Sequence, residues 1–138
     1  MEISQITITP DPYKPFCLSQ GYRVGELLFI SGQAAIDGTG KLVGVGNFDV
    51  QAEQVFANLG RVLQAGGSSL KNVFKVTIFL RDMSNFSKIV ELRARYFTPP
   101  YPADTIVEVS SLYSPEALIE IEAIAVADAA ADRQSSVS

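Results

Sequence analysis

The stretch "NLGRVLQAGGSSLKNVFKVTIFLRDMSNF", Asn58–Phe86, decides the predicted fold. Its first part continues a pattern in which apolar residues recur every three or four positions, as they do on one face of a helix. Gly66 and Gly67 end that helix, because glycine is a frequent helix stop. The segment "FKVTIFL", Phe74–Leu80, predicts a strand because it is rich in β-branched and aromatic residues. A helix, its stop and a strand therefore follow one another directly.

The helix that enters this stretch begins upstream. Asn47 or Asp49 can cap it, and it begins at about Val50. The apolar residues that fall on its predicted buried face are Val55, Phe56, Leu59, Val62 and Leu63. Their spacing predicts a helix that lies against a hydrophobic core.

A second helix follows the strand. Ser84 or Asn85 starts it, and Thr98-Pro99-Pro100 ends it because proline cannot continue the helical hydrogen-bond ladder. The apolar residues that it offers for burial are Phe86, Ile89, Val90 and Tyr96.

Alternating or β-branched segments predict five more strands. They are residues 3–8, residues 16–24, "LLFISG" from Leu27, residues 105–109 and residues 118–127. The order of elements is then β-β-β-α-β-α-β-β. One mixed sheet with two helices on one face satisfies it, which is an α+β two-layer sandwich. We expect a single domain over residues 1–128 and a flexible tail over residues 129–138, which are small and polar.

The strand Phe74–Leu80 carries apolar residues on both of its faces. Alternation places four apolar residues on one face, which are Phe74, Val76, Ile78 and Leu80, and it places Thr77 and Phe79 on the other face. Two helices on one side of a sheet shield only one face. Burial of the other face therefore predicts that the chain associates with copies of itself.

The composition excludes several kinds of site. The 138 residues include no histidine and one cysteine, Cys17. Ser-His-Asp and Cys-His nucleophile systems, zinc sites with histidine ligands and cysteine-cluster metal sites are therefore excluded. Acid–base chemistry is left to Asp, Glu, Tyr, Lys or Cys17. We expect no metal and no organic cofactor.

Charge and hydropathy suggest where the protein works. The net charge is −4, and the Lys and Arg residues are scattered, which argues against a nucleic-acid partner. No apolar run approaches the roughly 20 residues of a membrane span, and the first residues, "MEISQITITP", lack the basic start of a signal peptide. We expect a cytoplasmic protein, and a single cysteine agrees with a reducing compartment.

Three segments together resemble the Rid family, also called YjgF-like. They are "LLFISGQ" (Leu27–Gln33), the stretch Asn58–Phe86, and "ALIEIEAIAVA" (Ala117–Ala127). The resemblance runs from about Leu18 to Ala127. It implies a chorismate-mutase-like fold, a homotrimer and small-molecule clefts between subunits.

The resemblance also implies an activity. The best-known Rid proteins hydrolyse reactive 2-imino acids such as 2-iminopropanoate to a 2-keto acid and ammonia, without a metal or an organic cofactor. Glu120 matches the glutamate that positions or activates the attacking water in those deaminases. Gly32 matches the glycine that brings the backbone close to the ligand.

Four other positions depart from the family pattern. Asp104 stands where the deaminases carry an arginine that binds the substrate carboxylate. Hydrogen bonds to charged groups contribute roughly 1.5–3 kcal/mol each, so an anion at this position predicts much weaker binding of a 2-imino acid. Leu18, Val90 and Ile106 stand in place of a tyrosine, an asparagine and a cysteine. These three residues predict contact with a larger, more apolar ligand.

Several charged residues allow more than one interpretation. Asp104 is either a solvated strand-entry residue or a site residue, and if it meets Glu120 in one cleft, repulsion favours a protonated carboxyl that suits acid–base work. Glu120 and Glu122 alternate on one strand face, which fits a solvated acidic face too, but the resemblance favours a site role for Glu120 alone. Arg93 and Arg95 either replace the missing arginine or lie on the exposed side of the second helix.

Two further residues carry reactive groups. Cys17 is expected to be a small buried side chain, because no histidine is present to activate its thiol. Tyr22 is expected to pack against a residue on the neighbouring strand, although its hydroxyl could also donate a proton to a ligand.

These observations predict a Rid-like trimeric enzyme of altered specificity. It acts on an imine, an enamine or a related small molecule by hydrolysis, isomerisation or cyclisation. Glu120 handles water or a proton, and Asp104 is a second acid–base group or stabilises a positively charged iminium. The alternative is a non-catalytic trimer that binds a ligand or a partner. Ribonuclease activity fits poorly because the chain is acidic and has no histidine and no basic groove.

Overall fold

The computed structural model of the chain describes residues 1–131. Over that range six strands and the two predicted α-helices follow one another in the predicted order, and residues 128–131 are helical as well. The strands are β1 (Ile3–Ile6), β2 (Gly21–Val24), β3 (Leu27–Gln33), β4 (Val73–Leu80), β5 (Ala103–Glu108) and β6 (Ile119–Val126), and the helices are α1 (Phe48–Ala65) and α2 (Phe86–Tyr96). Residues 132–138, most of the tail predicted to be flexible, lie outside the described range.

The six strands form one sheet with the order β1-β2-β3-β6-β4-β5. Strands β4 and β5 run parallel, whereas the other neighbouring pairs are antiparallel. Apolar residues of both helices share one core cluster with the buried residues of the sheet. The prediction of a mixed sheet in a two-layer α+β sandwich is therefore confirmed.

Helix α1 supplies the largest part of the core. The Asn47 side chain caps it by accepting a hydrogen bond from the Val50 amide over 3.1 Å, and Gly66 is its C-cap. The five residues predicted for its buried face are all at most 1% exposed: Val55, Phe56, Leu59, Val62 and Leu63.

Helix α2 buries fewer residues than its sequence suggests. Ile89 is 1% exposed, but Phe86 and Val90 are 44% and 50% exposed. Residues spaced by four and then three positions lie on one side of a helix, so Phe86, Val90 and Arg93 form a second side that is turned away from the core. Two of the four apolar residues predicted for burial are therefore on the surface of this chain.

Strand β4 departs from strict alternation at its start. Val73, Val76 and Ile78 are buried, whereas Phe74 is 44% exposed. The register opposite β6 shifts between Val73 and Lys75, and such a bulge takes the extra residue out of the alternation. The prediction that Phe74 shares the environment of Val76 is wrong for this reason.

Strand β2 is shorter than the predicted segment of residues 16–24. A 3₁₀ turn over Lys14–Phe16 precedes it and ends at Cys17, whose φ of 61° lies in the left-handed region. Cys17 is exposed. The prediction of a buried thiol is wrong, because the residue belongs to a surface turn rather than to a strand.

A chain of polar contacts fixes the loop before β2 against the end of β3. The Gln33 amide donates to Gln20 Oε1 over 3.0 Å, and the Gln20 amide donates to Asp11 Oδ1 over 2.9 Å. Asp11 Oδ1 also accepts from the Tyr13 backbone amide over 3.0 Å. Because both glutamines are buried, these bonds hold Tyr13 beside β3 in one arrangement.

Within residues 1–131 the structure contains no helix with the length and apolar character needed to cross a lipid bilayer.

Asn47→Ala should lower the free energy of unfolding by about 1 kcal/mol, because it removes the capping acceptor of α1. Asn85→Ala is the matched control, since Asn85 precedes α2 but makes no capping hydrogen bond. Denaturant unfolding followed by circular dichroism, at one fixed protein concentration, compares the two variants. Equal losses of stability would show that the Asn47 bond itself contributes nothing.

Candidate active site

Glu120 lies on β6 at a cavity of about 190 Å³. Gly32 packs directly against it, and a Cβ atom at Gly32 would collide with the Glu120 carboxylate. Leu18, which is 44% exposed, lines the same cavity. The structure thus brings together three of the predicted site residues, Glu120, Gly32 and Leu18.

A bulge explains the close approach of Gly32. The register between β3 and β6 shifts between Ile30 and Gln33, so the chain around Gly32 leaves the regular ladder opposite Glu120. Only glycine fits there without displacing the carboxylate, because any other residue adds a Cβ atom. The glycine of "SGQ" therefore allows the Glu120 carboxylate to lie directly against the backbone of β3.

Tyr13 also contacts this glycine and was missed by the sequence analysis. Its hydroxyl donates to the Gly32 carbonyl over 2.6 Å and accepts from the Ala34 amide over 3.2 Å. The pKa of Tyr13 is raised to about 12, mainly by burial; the Ala34 hydrogen bond lowers it, and the nearby Glu120 carboxylate contributes to the rise. With its hydroxyl engaged on both sides, Tyr13 holds the bulge in place.

Tyr113 is the second tyrosine at the cavity that the sequence analysis missed. It lies in the loop before β6, is 54% exposed, and lines the cavity with Glu120. Burial raises the pKa of its phenol, and Glu120 and Glu116 raise it further. No sequence pattern links this loop or the Tyr13 loop to Glu120, because the contacts exist only after the sheet has formed.

The cavity makes the Glu120 carboxyl hold its proton more tightly than a free glutamate does. Burial raises the pKa of Glu120, and the neighbouring charge of Glu122 raises it further. The described residues that line the cavity are mainly apolar or aromatic, and they include neither Lys nor Arg. A carboxyl with a raised pKa keeps a larger protonated fraction at a given pH, so it can serve both as a proton donor and as a proton acceptor.

Asp104 lies on the opposite face of the sheet from Glu120. In the β4–β5 ladder Asp104 stands opposite Val76, which is buried beneath the helices. In the β4–β6 ladder Glu120 stands opposite Phe79, whose side chain points the other way along the alternation of β4. Within one chain the sheet therefore separates Asp104 from Glu120, and their meeting in a cleft between subunits stays a hypothesis.

Asp104 forms an ion pair with Arg93 of α2. The Arg93 Nε–H donates to Asp104 Oδ2 over 2.8 Å, and the two side chains are only 25% and 16% exposed. Both residues line a second cavity, of about 460 Å³, together with Val90. Arg93 is thus partly buried rather than on the exposed side of the helix, whereas Arg95 is exposed.

The remaining candidates take packing positions. Ile106 is half-buried against the hydrophobic core and lines neither of the two cavities, so its predicted contact with substrate stays a prediction. Tyr22 stands opposite Phe29 in the β2–β3 ladder, as expected for cross-strand packing. Over the described part of the chain, no three His, Cys, Asp or Glu side chains cluster in a way that could hold a metal ion.

Comparison with known proteins gives three relevant matches. A family model described as endoribonuclease L-PSP matches residues 9–127. A RutC family protein from Pyrococcus horikoshii is 46% identical over 117 residues, which are 84% of this chain and 90% of that protein. A crystal structure of a Rid family protein from Yersinia pestis has a TM-score of 0.83 and 35% identity, and the match covers 91% of this chain and 99% of that chain.

The chain belongs to the Rid family.

One relative with a named activity is also similar to this Rid chain. It is the 2-iminobutanoate/2-iminopropanoate deaminase of Dermatophagoides farinae, which is 33% identical over 119 residues, 86% of this chain and 91% of that protein. Family membership confirms the resemblance drawn from the sequence. The roles assigned to individual residues of this Rid chain stay predictions.

Glu122→Gln should lower the pKa of Glu120 in this Rid protein, because it removes the second cause of the raised value. The pKa should stay above that of an ordinary glutamate, since burial is the larger cause. Carboxyl ¹³C NMR titration measures both values. Glu53→Gln on the exposed surface of α1 is the control and should leave the pKa of Glu120 unchanged.

The same raised pKa predicts how stability depends on pH. A folded-state pKa above the unfolded value means that the contribution of Glu120 to stability is fully present below the ordinary glutamate pKa and is lost as pH rises through the raised value. Glu120→Gln should therefore gain stability relative to wild type across that window, and the gain should be absent at lower pH. A gain that does not change with pH would contradict the assignment.

Proposed function

We propose that this Rid protein hydrolyses an imine or enamine to a carbonyl compound and ammonia, with Glu120 as the acid–base group. The observation that carries the proposal is the partly buried Glu120 carboxyl, held against Gly32 in an apolar cavity that raises its pKa. The deaminase of Dermatophagoides farinae, 33% identical to this chain, supports the choice of reaction.

The proposed reaction uses one carboxyl and one water. The protonated Glu120 carboxyl gives its proton to the imine nitrogen, which makes the carbon electrophilic. Water then adds to that carbon while the Glu120 carboxylate takes one of its protons, and the same proton passes to nitrogen. The C–N bond breaks, ammonia leaves, and Glu120 recovers the hydroxyl proton as the C=O bond forms. A pKa raised toward neutrality suits both directions of transfer.

The apolar walls set the kind of substrate that this cavity accepts. Leu18 occupies one wall and Tyr113 another. An uncharged imine enters such a site more readily than a charged one. The iminium that forms is then stabilised by the Glu120 carboxylate, in surroundings with little water to screen it. The same transfers would also serve an enamine–imine isomerisation or a cyclisation.

We further propose that the protein is a homotrimer with its clefts between subunits. The sheet face without helices is apolar in its middle: Tyr22, Leu27 and Phe29 are 43%, 38% and 43% exposed. Ile124 stands beside Phe29, and Val126 stands beside Leu27, in the β3–β6 ladder. A contiguous apolar patch of this kind favours association.

A trimer would also bring the two separated carboxylates closer. We propose that the Val90–Asp104 cavity of one chain faces the Glu120 cavity of the next. A direct acid–base role for Asp104 requires this second chain, because within one chain the sheet separates Asp104 from Glu120.

The description of the family model names an endoribonuclease, but an RNA substrate fits the charge of this chain poorly. Its net charge of −4 opposes an RNA backbone. The Glu120 cavity, as described, adds a carboxylate and no cation. A small uncharged or cationic substrate fits this field better.

Glu120→Gln should lower kcat for 2-iminopropanoate, generated in the assay, by about 10²–10⁴-fold, the usual size of a general acid–base contribution. Glu122→Gln is the control, because Glu122 is on the same strand face but exposed, and its kcat should change much less. Ammonia release measures both. If wild type turns over neither this substrate nor an uncharged imine, the non-catalytic trimer becomes the better description.

Phe29→Asp should convert the trimer to a monomer, because it places a charge in the middle of the proposed interface. Native mass spectrometry should give three times the 14.9 kDa of one chain for wild type. Val50→Asp is the control, since Val50 has the same 43% exposure but lies on α1, on the helix side of the sheet. A wild-type monomer, or a Phe29→Asp trimer, would contradict the proposed interface.

A further inference from the structure

The Glu120 cavity has three aromatic residues in its walls. Tyr13 and Phe16 come from the segment before β2, and Tyr113 comes from the loop before β6. The cavity holds only about 190 Å³, so a small ligand that reaches Glu120 also meets these rings. The face of an aromatic ring carries negative charge density, which attracts cations. The walls are therefore suited to a positively charged group as well as to an apolar one.

Two of the three rings are open to a ligand. Phe16 is 63% exposed and Tyr113 is 54% exposed. Within residues 1–131 neither ring stacks on another aromatic ring, and neither contacts a Lys or Arg cation of the chain. The faces of both rings are therefore free to contact a cation that enters the cavity.

The charged groups around the cavity are acidic. Burial is the first cause of the raised pKa of Tyr13, Tyr113 and Glu120, but carboxylates act in the same direction on all three. Glu120 acts on both tyrosines. Glu116 also acts on Tyr113, and Glu122 acts on Glu120. A field that makes each group hold its proton more tightly also attracts a cationic ligand.

The nearest basic residue along the chain does not reach this cavity. Lys14 precedes Phe16 in the same 3₁₀ turn, but it lines a separate cavity of about 470 Å³. Among the described residues, the walls around Glu120 contain no Lys and no Arg. A cation bound there therefore meets rings and a carboxylate, and it meets no positive charge.

We propose that Phe16 and Tyr113 are binding residues which, together with Glu120, form a site for a small organic cation. The ligand class is an alkylammonium or iminium ion, whose charge the rings and the carboxylate attract while its carbon groups contact the apolar walls. This assignment rests on the proposed function of the Glu120 cavity and names the form of the substrate that the cavity binds best. A neutral imine that takes the Glu120 proton becomes such a cation. The rings therefore stabilise the charged form more than the neutral one.

Choline and 3,3-dimethylbutan-1-ol test the charge of the ligand at nearly constant shape, because carbon replaces the quaternary nitrogen in the alcohol. Apolar burial alone favours the alcohol, whereas the rings and Glu120 favour choline. NMR titration of the full-length protein, above the raised pKa of Glu120, follows the ring signals of Phe16 and Tyr113. We expect choline to bind at least tenfold tighter. Equal affinities, tighter binding of the alcohol, or no binding of choline would overturn the proposal.

Ring variants test the aromatic walls. Tyr113→Leu and Phe16→Leu should each weaken choline binding about fivefold, because each loses a ring and keeps an apolar side chain. Tyr113→Phe keeps the ring and should lose much less. Phe74→Leu is the matched control, since Phe74 is also exposed but lines neither the Glu120 cavity nor the Val90–Asp104 cavity. Wild-type affinity in both Leu variants, or an equal loss in Tyr113→Phe and Tyr113→Leu, would show that the rings do not bind the cation. If one Leu variant does not fold, the other decides.

Glu120→Gln separates the contribution of the carboxylate from that of the rings. The variant loses the negative charge but keeps Phe16 and Tyr113. Its choline affinity should therefore fall, while choline should still bind tighter than the alcohol. An unchanged choline affinity would remove Glu120 from the site. A complete loss of the preference for choline would remove the rings from it.

Steady-state kinetics distinguishes a failure of the cation site from a failure of the proposed function. With 2-iminopropanoate, Tyr113→Leu should lower kcat/KM about fivefold, and Tyr113→Phe should restore most of that loss. Choline binding that depends on the rings, without any turnover, would leave the cation site standing and refute the hydrolase. Turnover by a protein that binds choline no better than the alcohol would do the reverse.

Discussion

The sheet of this chain carries apolar residues on both of its faces, and its helices cover only one of them. In this chain α1 buries its whole predicted face, while Tyr22 and Phe29 remain partly exposed on the other side of the sheet. The two chemically interesting regions are divided in the same way, with Glu120 on the open face and Asp104 beneath the helices. Association of chains through the open face would therefore complete both the core and the site. The uncovered face is thus the common reason for the proposed homotrimer and for the proposed clefts between subunits.

The contact between Gly32 and Glu120 sets the chemistry of the cavity. A bulge in β3 and the two hydrogen bonds of Tyr13 hold the backbone where a side chain would collide with the carboxylate. That arrangement takes the carboxyl partly out of water, and burial is the larger reason for its raised pKa. The glycine, the tyrosine and the glutamate therefore act together, although they come from three separate segments of the chain.

Periodicity was sufficient to predict the order of elements and the buried face of α1, because burial of apolar residues every three or four positions is decided locally. Periodicity did not predict that Phe74 and Cys17 are exposed. A bulge and a 3₁₀ turn changed their surroundings, and neither feature has a strong signal in the apolar pattern. The family resemblance pointed to Glu120 and Gly32. It did not point to Tyr13 or Tyr113, whose loops reach the cavity only through the tertiary structure.

Asp104 shows why the charge of one residue is a poor guide to the field of a site. Compared with the family's deaminases at the same position, Asp104 puts an anion in place of a cation, and a carboxylate ligand should be repelled. In the structure it is half of a neutral pair whose anionic half is the more buried, at 16% exposure against 25% for Arg93. Because both members of the pair line the same cavity, a ligand there meets the field of an ion pair rather than the field of a lone carboxylate. The field at position 104 therefore depends on the arginine that pairs with it, and only the fold brings that arginine from α2 to Asp104.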